Sequence, residues 1–113
     1  MEKQVTTIGL VVRSAPRSGK RSREQLDIAL SAASLGFELQ LFFIGAGVMH
    51  LSAGKGHKGW KALPGLTTVT AWLDPDSMAA RQDYGEQPIL ESLLAGPAEM
   101  AERISCCDRA MVI

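Results

Sequence analysis

Two adjacent thiols, two imidazoles and two carboxylates around a proline are the groups in this 113-residue chain most able to do chemistry. Cys106 and Cys107 are its only cysteines, and neighbouring cysteines rarely close a good disulfide, so free thiols are expected. A nucleophilic thiol needs an accessible, electropositive setting, which the flanking Arg103 and Arg109 could supply; the plainer reading is two small structural thiols. His50 and His57 have no accompanying cluster of carboxylates or thiols, and two imidazoles alone make a poor metal site. Structural or surface roles are expected for both, with no metal and no other cofactor. Asp74 and Asp76 bracket Pro75, a pattern that helix capping explains without catalysis.

The loop Arg13–Ser22 carries Arg13, Arg17, Lys20 and Arg21 between a strand-like and a helix-like segment, as a phosphate loop would. The match fails, because Ser14 stands where the first glycine is required and Arg21 follows Lys20 in place of Ser or Thr. The nest of backbone donors and the Mg²⁺-binding hydroxyl are therefore missing. Gly45 and Gly47 likewise lack the third glycine of a dinucleotide fingerprint. What remains is a candidate pocket built from Ser14, Pro16 and Gly19 after the first strand, Gly45 and Gly47 after the second, and Asp74 after the third.

The element that must position these groups is Glu38–Leu51. Leu39, Leu41, Phe42, Phe43 and Ile44 make a nearly continuous apolar run of strand length, the signature of a central strand covered on both faces. Gly45 and Gly47 end it where the backbone must turn tightly or approach something closely. Val48, Met49 and Leu51 then follow in a turn too apolar for ordinary solvation, so with His50 and with Phe43 behind them they either complete the core or meet another subunit. This turn lies at the carboxyl end of the strand, the edge where open α/β sheets place function.

Around it, Val5–Val12 reads as a first interior strand. Ser22 with Gln25 forms a capping box opening a helix to Leu35, with Leu26, Ala29, Leu30 and Ala33 in one stripe and Gly36 as its C′ stop. Ser52–Gly65, with four glycines and three lysines, is a poor candidate for regular structure and is expected to be a flexible loop, with Trp60 and Leu63 available as anchors. Thr67–Leu73 alternates as a third strand, and Asp74 caps a short helix to about Asp83. Pro88–Leu94 is an edge strand or a helix. Gly96-Pro97 opens a last helix through Ser105 with Met100, Ala101 and Ile104 inward, and Ala110–Ile113 is a final strand. Residues 1–113 thus form one α/β domain, with a mostly parallel sheet of four or five strands and helices on both faces.

Composition narrows the function. Lys plus Arg and Asp plus Glu are 12 each, so bulk counterion-driven binding of nucleic acid is not expected. The start Met1-Glu2-Lys3-Gln4 has no signal-peptide shape, and no apolar run reaches the roughly 18 residues that span a bilayer. A cytoplasmic protein with reduced thiols follows.

The proline turn Ser14-Ala15-Pro16, the segment Ser22-Arg23-Glu24-Gln25-Leu26-Asp27-Ile28-Ala29-Leu30 and the segment Leu41–Leu51 together resemble the DsrE/DsrF-like sulfur-relay family, in its TusC and DsrF branch. The resemblance is strongest over residues 8–51 and departs from the family pattern at Ala46, where an acidic residue is usual. It implies a small subunit that joins DsrE/TusD-like and DsrH/TusB-like sisters in a heterohexamer, passing persulfide sulfur towards tRNA 2-thiouridine or within sulfur oxidation. In such families the sulfur-carrying cysteine follows the third strand of the TusD or DsrE subunit. Here that segment is Leu73-Asp74-Pro75-Asp76-Ser77-Met78, and neither a carboxylate nor a thioether carries a persulfide. The resemblance therefore implies a non-catalytic partner, with Phe43, Val48, Met49, His50 and Leu51 as interface candidates. The rival readings are a sulfurtransferase using Cys106 or Cys107, and a homo-oligomeric small-molecule binding module.

Overall fold

β1 (Thr7–Val12), β2 (Glu38–Phe43), β3 (Val69–Leu73), β4 (Leu93–Leu94) and β5 (Arg109–Val112) form one sheet in the order β4-β3-β2-β1-β5. Every pairing is parallel. These positions come from a computed structural model, which describes residues 6–16, 24–52, 58–80 and 88–113. The apolar run around Phe42 occupies the centre of the sheet, as a strand buried on both faces must.

Strand alternation divides the core in two. Leu10, Val12, Leu39, Leu41, Phe43, Ala71 and Leu73 point to one face, where Leu26, Ala29 and Ala33 of α1 (Glu24–Ser34) cover them. Val11, Phe42 and Trp72 point to the other, under Met100 of α3 (Pro97–Ser105). Helices thus lie on both faces, as expected. α1 ends in a Schellman motif: Gly36 has φ +89°, its N–H donates to the Ala33 carbonyl, and the Phe37 N–H donates to that of Ala32. The capping box at Ser22 falls outside the described residues, as do Gly19, His57 and the expected end of the helix at Asp83.

Two expectations change and one open alternative resolves. Lys58–Gly65 forms a 3-10 helix, not an irregular loop, because Trp60 and Leu63 are driven fully into the core. Their burial outweighs the glycine entropy that argued against order. Pro88–Leu94 resolves into a two-residue edge strand, since Pro88 has no N–H to give and only Leu93 and Leu94 reach β3. In α3, Met100 is buried and Ile104 half-buried while Ala101 is exposed. That helix carries a narrower inward stripe than predicted. Among the described residues, no helix is long and apolar enough to cross a membrane.

After β2, Gly45–Leu51 folds back as a 3-10 helix over the end of β1. The Ile44 N–H donates to the Val12 carbonyl at 3.1 Å and the Gly47 N–H to the Ile44 carbonyl at 2.8 Å. A Cβ at Gly47 would collide with the Val12 carbonyl and the Arg13 nitrogen, so only glycine permits this approach. Gly47→Ala is expected to destabilise the protein by about 2–3 kcal/mol, the scale of an overpacked core. Chemical denaturation of the variant measures this, and an unchanged midpoint would mean the turn has room to spare.

Candidate functional site

The carboxyl ends of β1, β2 and β3 bring together three connecting segments: Arg13–Pro16, Gly45–Leu51 and α2 (Pro75–Ala80) with the preceding Asp74. Asp74 is a helix cap, as its spacing suggested. Its Oδ1 accepts the Asp76 N–H at 3.1 Å, its carbonyl accepts the Met78 N–H at 3.1 Å, and its Oδ2 accepts the Ser77 hydroxyl at 2.6 Å. The Ser77 Oγ in turn accepts the Gly45 N–H at 3.0 Å. A chain of bonds therefore ties the turn after β2 to the cap after β3. Gly45 holds φ +53° there, a left-handed conformation that suits glycine.

Ser77 was not singled out from the sequence. The signal was present, because a polar residue three positions after a cap residue can bond back to it.

Ser14 enters the site through its backbone. His50 Nε2 lies 2.8 Å from the Ser14 carbonyl, so that nitrogen donates. The imidazole is 1% exposed and meets Trp60 edge-on at 5.6 Å, while Trp60 meets Phe43 edge-on at 5.2 Å, the offset geometry that ring quadrupoles favour. Trp60 Nε1 has no hydrogen-bond partner among the described residues. Burial depresses the His50 pKa below its usual value, and the Ser14 carbonyl opposes this more weakly. The ring is accordingly held neutral at pH 7, buried and bonded to the backbone.

Of the residues expected at a partner surface, Phe43, Val48 and Leu51 are fully buried, and His50 nearly so, in the single chain. This burial, the core alternative of the sequence reading, follows from 3-10 geometry: positions three apart share a side, which sends Val48 and Leu51 inward together. Met49, between them, is half-buried and packs on the edge of the core, so it alone of the five retains appreciable surface. Among the pocket candidates, Ser14, Gly45, Gly47 and Asp74 do share one edge, with Pro16 beside Ser14; their contacts knit backbone to backbone and commit the Asp74 carboxylate to capping.

The thiols are elsewhere. Cys106 and Cys107 precede β5, whose neighbour Asp108 bonds Thr7 at the start of β1: the Asp108 N–H donates to the Thr7 carbonyl at 3.0 Å, and the Thr7 N–H to Asp108 Oδ2 at 2.7 Å. They sit at the amino ends of the strands, about 20 Å from Ser14 at about 3.3 Å per residue of β1.

Because the fold disfavours a proton on His50, the unfolded chain takes one up more readily around and below the free histidine pKa of about 6.5, and stability is expected to fall as pH drops through that value. His50→Gln is expected to flatten this loss between pH 7 and pH 5 in denaturant titrations. An equally steep loss in the variant would assign the pH dependence to other groups.

The DsrE/DsrF-like family profile matches residues 7–113. A protein named "Protein TusC homolog" from Aliivibrio fischeri is 28% identical over 114 aligned residues, covering 93% of this chain and 97% of that protein. The crystal structure of the ychN protein from E. coli superposes with a TM-score of 0.68 at 17% identity, covering 96% of this chain and 100% of that one. That likeness is one of fold.

Proposed function

The chain belongs to the DsrE/DsrF-like family, and we propose that it is a supporting, TusC-like subunit of a cytoplasmic sulfur-relay complex that does not itself carry the sulfur. The observation that supports this is the content of the edge after β3. There a carboxylate and a hydroxyl, Asp74 and Ser77, are bound to each other and to Gly45, while both thiols of the chain lie at the opposite end of the strands. A persulfide is a sulfur bonded to a thiol sulfur, so a subunit without a thiol at the relay edge can shape that edge but not load it. The likeness to a protein named TusC homolog agrees with this role.

In this reading the cargo thiol belongs to a DsrE/TusD-like sister, with a DsrH/TusB-like subunit completing the assembly. The sulfur moves towards tRNA 2-thiouridine, and balanced charge in this chain leaves contact with nucleic acid to another component. Met49 and the exposed Ser14 lie on the face offered to the sister.

Two measurements test this. Met49→Asp is expected to weaken co-purification with the sister subunits by on the order of tenfold, the loss of about 1.4 kcal/mol of buried contact; the same yield of complex as wild type would remove Met49 from the interface. The double variant Cys106→Ser/Cys107→Ser, assembled with its sisters, is expected to support sulfur transfer at the wild-type rate. Abolished transfer by a correctly assembled double variant would make this chain a carrier and overturn the proposal.

A further inference from the structure

Cys106 and Cys107 are both free, and both line one pocket of about 280 Å³ whose other walls include Gln40, Thr70, Trp72 and Arg103. Cys106 is the C-cap of α3, with φ −83° and ψ −11°, and its side chain is exposed. Cys107 is anchored. Its sulfur occupies the hollow above Gly9, where an added Cβ would come within 2.9 Å of Sγ, and its thiol donates to the Arg103 carbonyl at 3.6 Å. One sulfur is therefore fixed against the sheet and the other is free to turn towards it from a Cα about 3.8 Å away. Burial, then Cys106 and Asp108, raises the Cys107 thiol above its ordinary value.

A disulfide between consecutive residues would draw the sulfurs to about 2.0 Å and distort the intervening peptide. An atom bonded to both sulfurs makes no such demand. We propose that Cys106 and Cys107 form a two-thiol site for trivalent arsenic compounds, with the organic group of an aryl arsenical lying in the adjoining pocket.

The reaction is a condensation. R–As(OH)₂ and two S–H groups give R–As(S–Cys)₂ and two waters, each As–O bond being exchanged for an As–S bond and each thiol proton leaving in water. Arsenic remains trivalent and nothing is oxidised. The ligand is neutral, so the mixed charges nearby do not decide its entry: Arg103 is paired with Glu99 at 3.5 Å and stacked 5.1 Å above Trp72, and Asp108 is held by Thr7. Soft sulfur donors favour soft, thiophilic acceptors over the hard cations that oxygen ligands take. This inference does not depend on the relay role, since it concerns the opposite end of the strands.

Intact-mass spectrometry of the reduced full chain with 4-aminophenylarsine oxide tests it. One adduct per chain is expected, surviving excess monothiol and removed by a dithiol. Cys106→Ser and Cys107→Ser should each weaken retention by on the order of 100-fold, because the second bond is no longer closed intramolecularly. Circular dichroism checks the fold of each variant. Should a variant not fold, peptide mapping of the wild type decides: the arsenical must shield both cysteines from iodoacetamide. An adduct stripped by monothiol, a resistant adduct on either serine variant, or protection of one cysteine alone overturns the proposal.

Discussion

The seating of the Gly45–Leu51 turn on the end of β1 is the constraint on which the rest of this structure depends. Gly47 lies against the Val12 carbonyl too closely for any side chain, and this approach lets the turn fold back over the sheet. Val48 and Leu51 can then enter the core, and His50 can reach the Ser14 carbonyl. The second 3-10 helix closes the same layer by placing Trp60 against His50 and Phe43. An unpaired buried polar group is expensive, so the His50 bond to Ser14 and the depth of the aromatic cluster are linked: the imidazole can be buried there because a backbone acceptor is waiting for it.

That arrangement gives the two ends of the strands different characters. The carboxyl edge is oxygen-rich, with Asp74, Ser77 and Gly45 joined in one hydrogen-bonded chain. The amino edge carries the sulfur, with Cys107 set in the space that Gly9 leaves and Cys106 open beside it. A parallel sheet makes such a separation durable, because strand length alone sets the distance between its ends. A helper role at one end and thiol chemistry at the other can coexist without either disturbing the other.

Much of the fold was readable along the chain. The stripe of Leu26, Ala29 and Ala33, the Gly36 stop, the run through Phe43 and the Gly96-Pro97 helix start all express short-range rules that the tertiary structure obeys. The order within Lys58–Gly65 was not readable, because glycine content speaks of backbone entropy while Trp60 is held by partners far away in sequence. The edge residues were partly readable: Asp74 was recognisable as a cap from the proline beside it, whereas the bond from Gly45 to Ser77 spans 32 positions and leaves no local trace.

Sequence alone determined the βαβ beginning, the parallel central strand, the free thiols and the lack of a cysteine in the segment Leu73–Met78, since these follow from residue identity and local periodicity. Only the tertiary structure decided that Val48, His50 and Leu51 are core instead of surface, and that the thiols share a pocket at the far end of the sheet. The physical reason is that burial depends on which distant segments fold over a residue. In a chain this short, one close glycine contact sets that for the whole carboxyl edge.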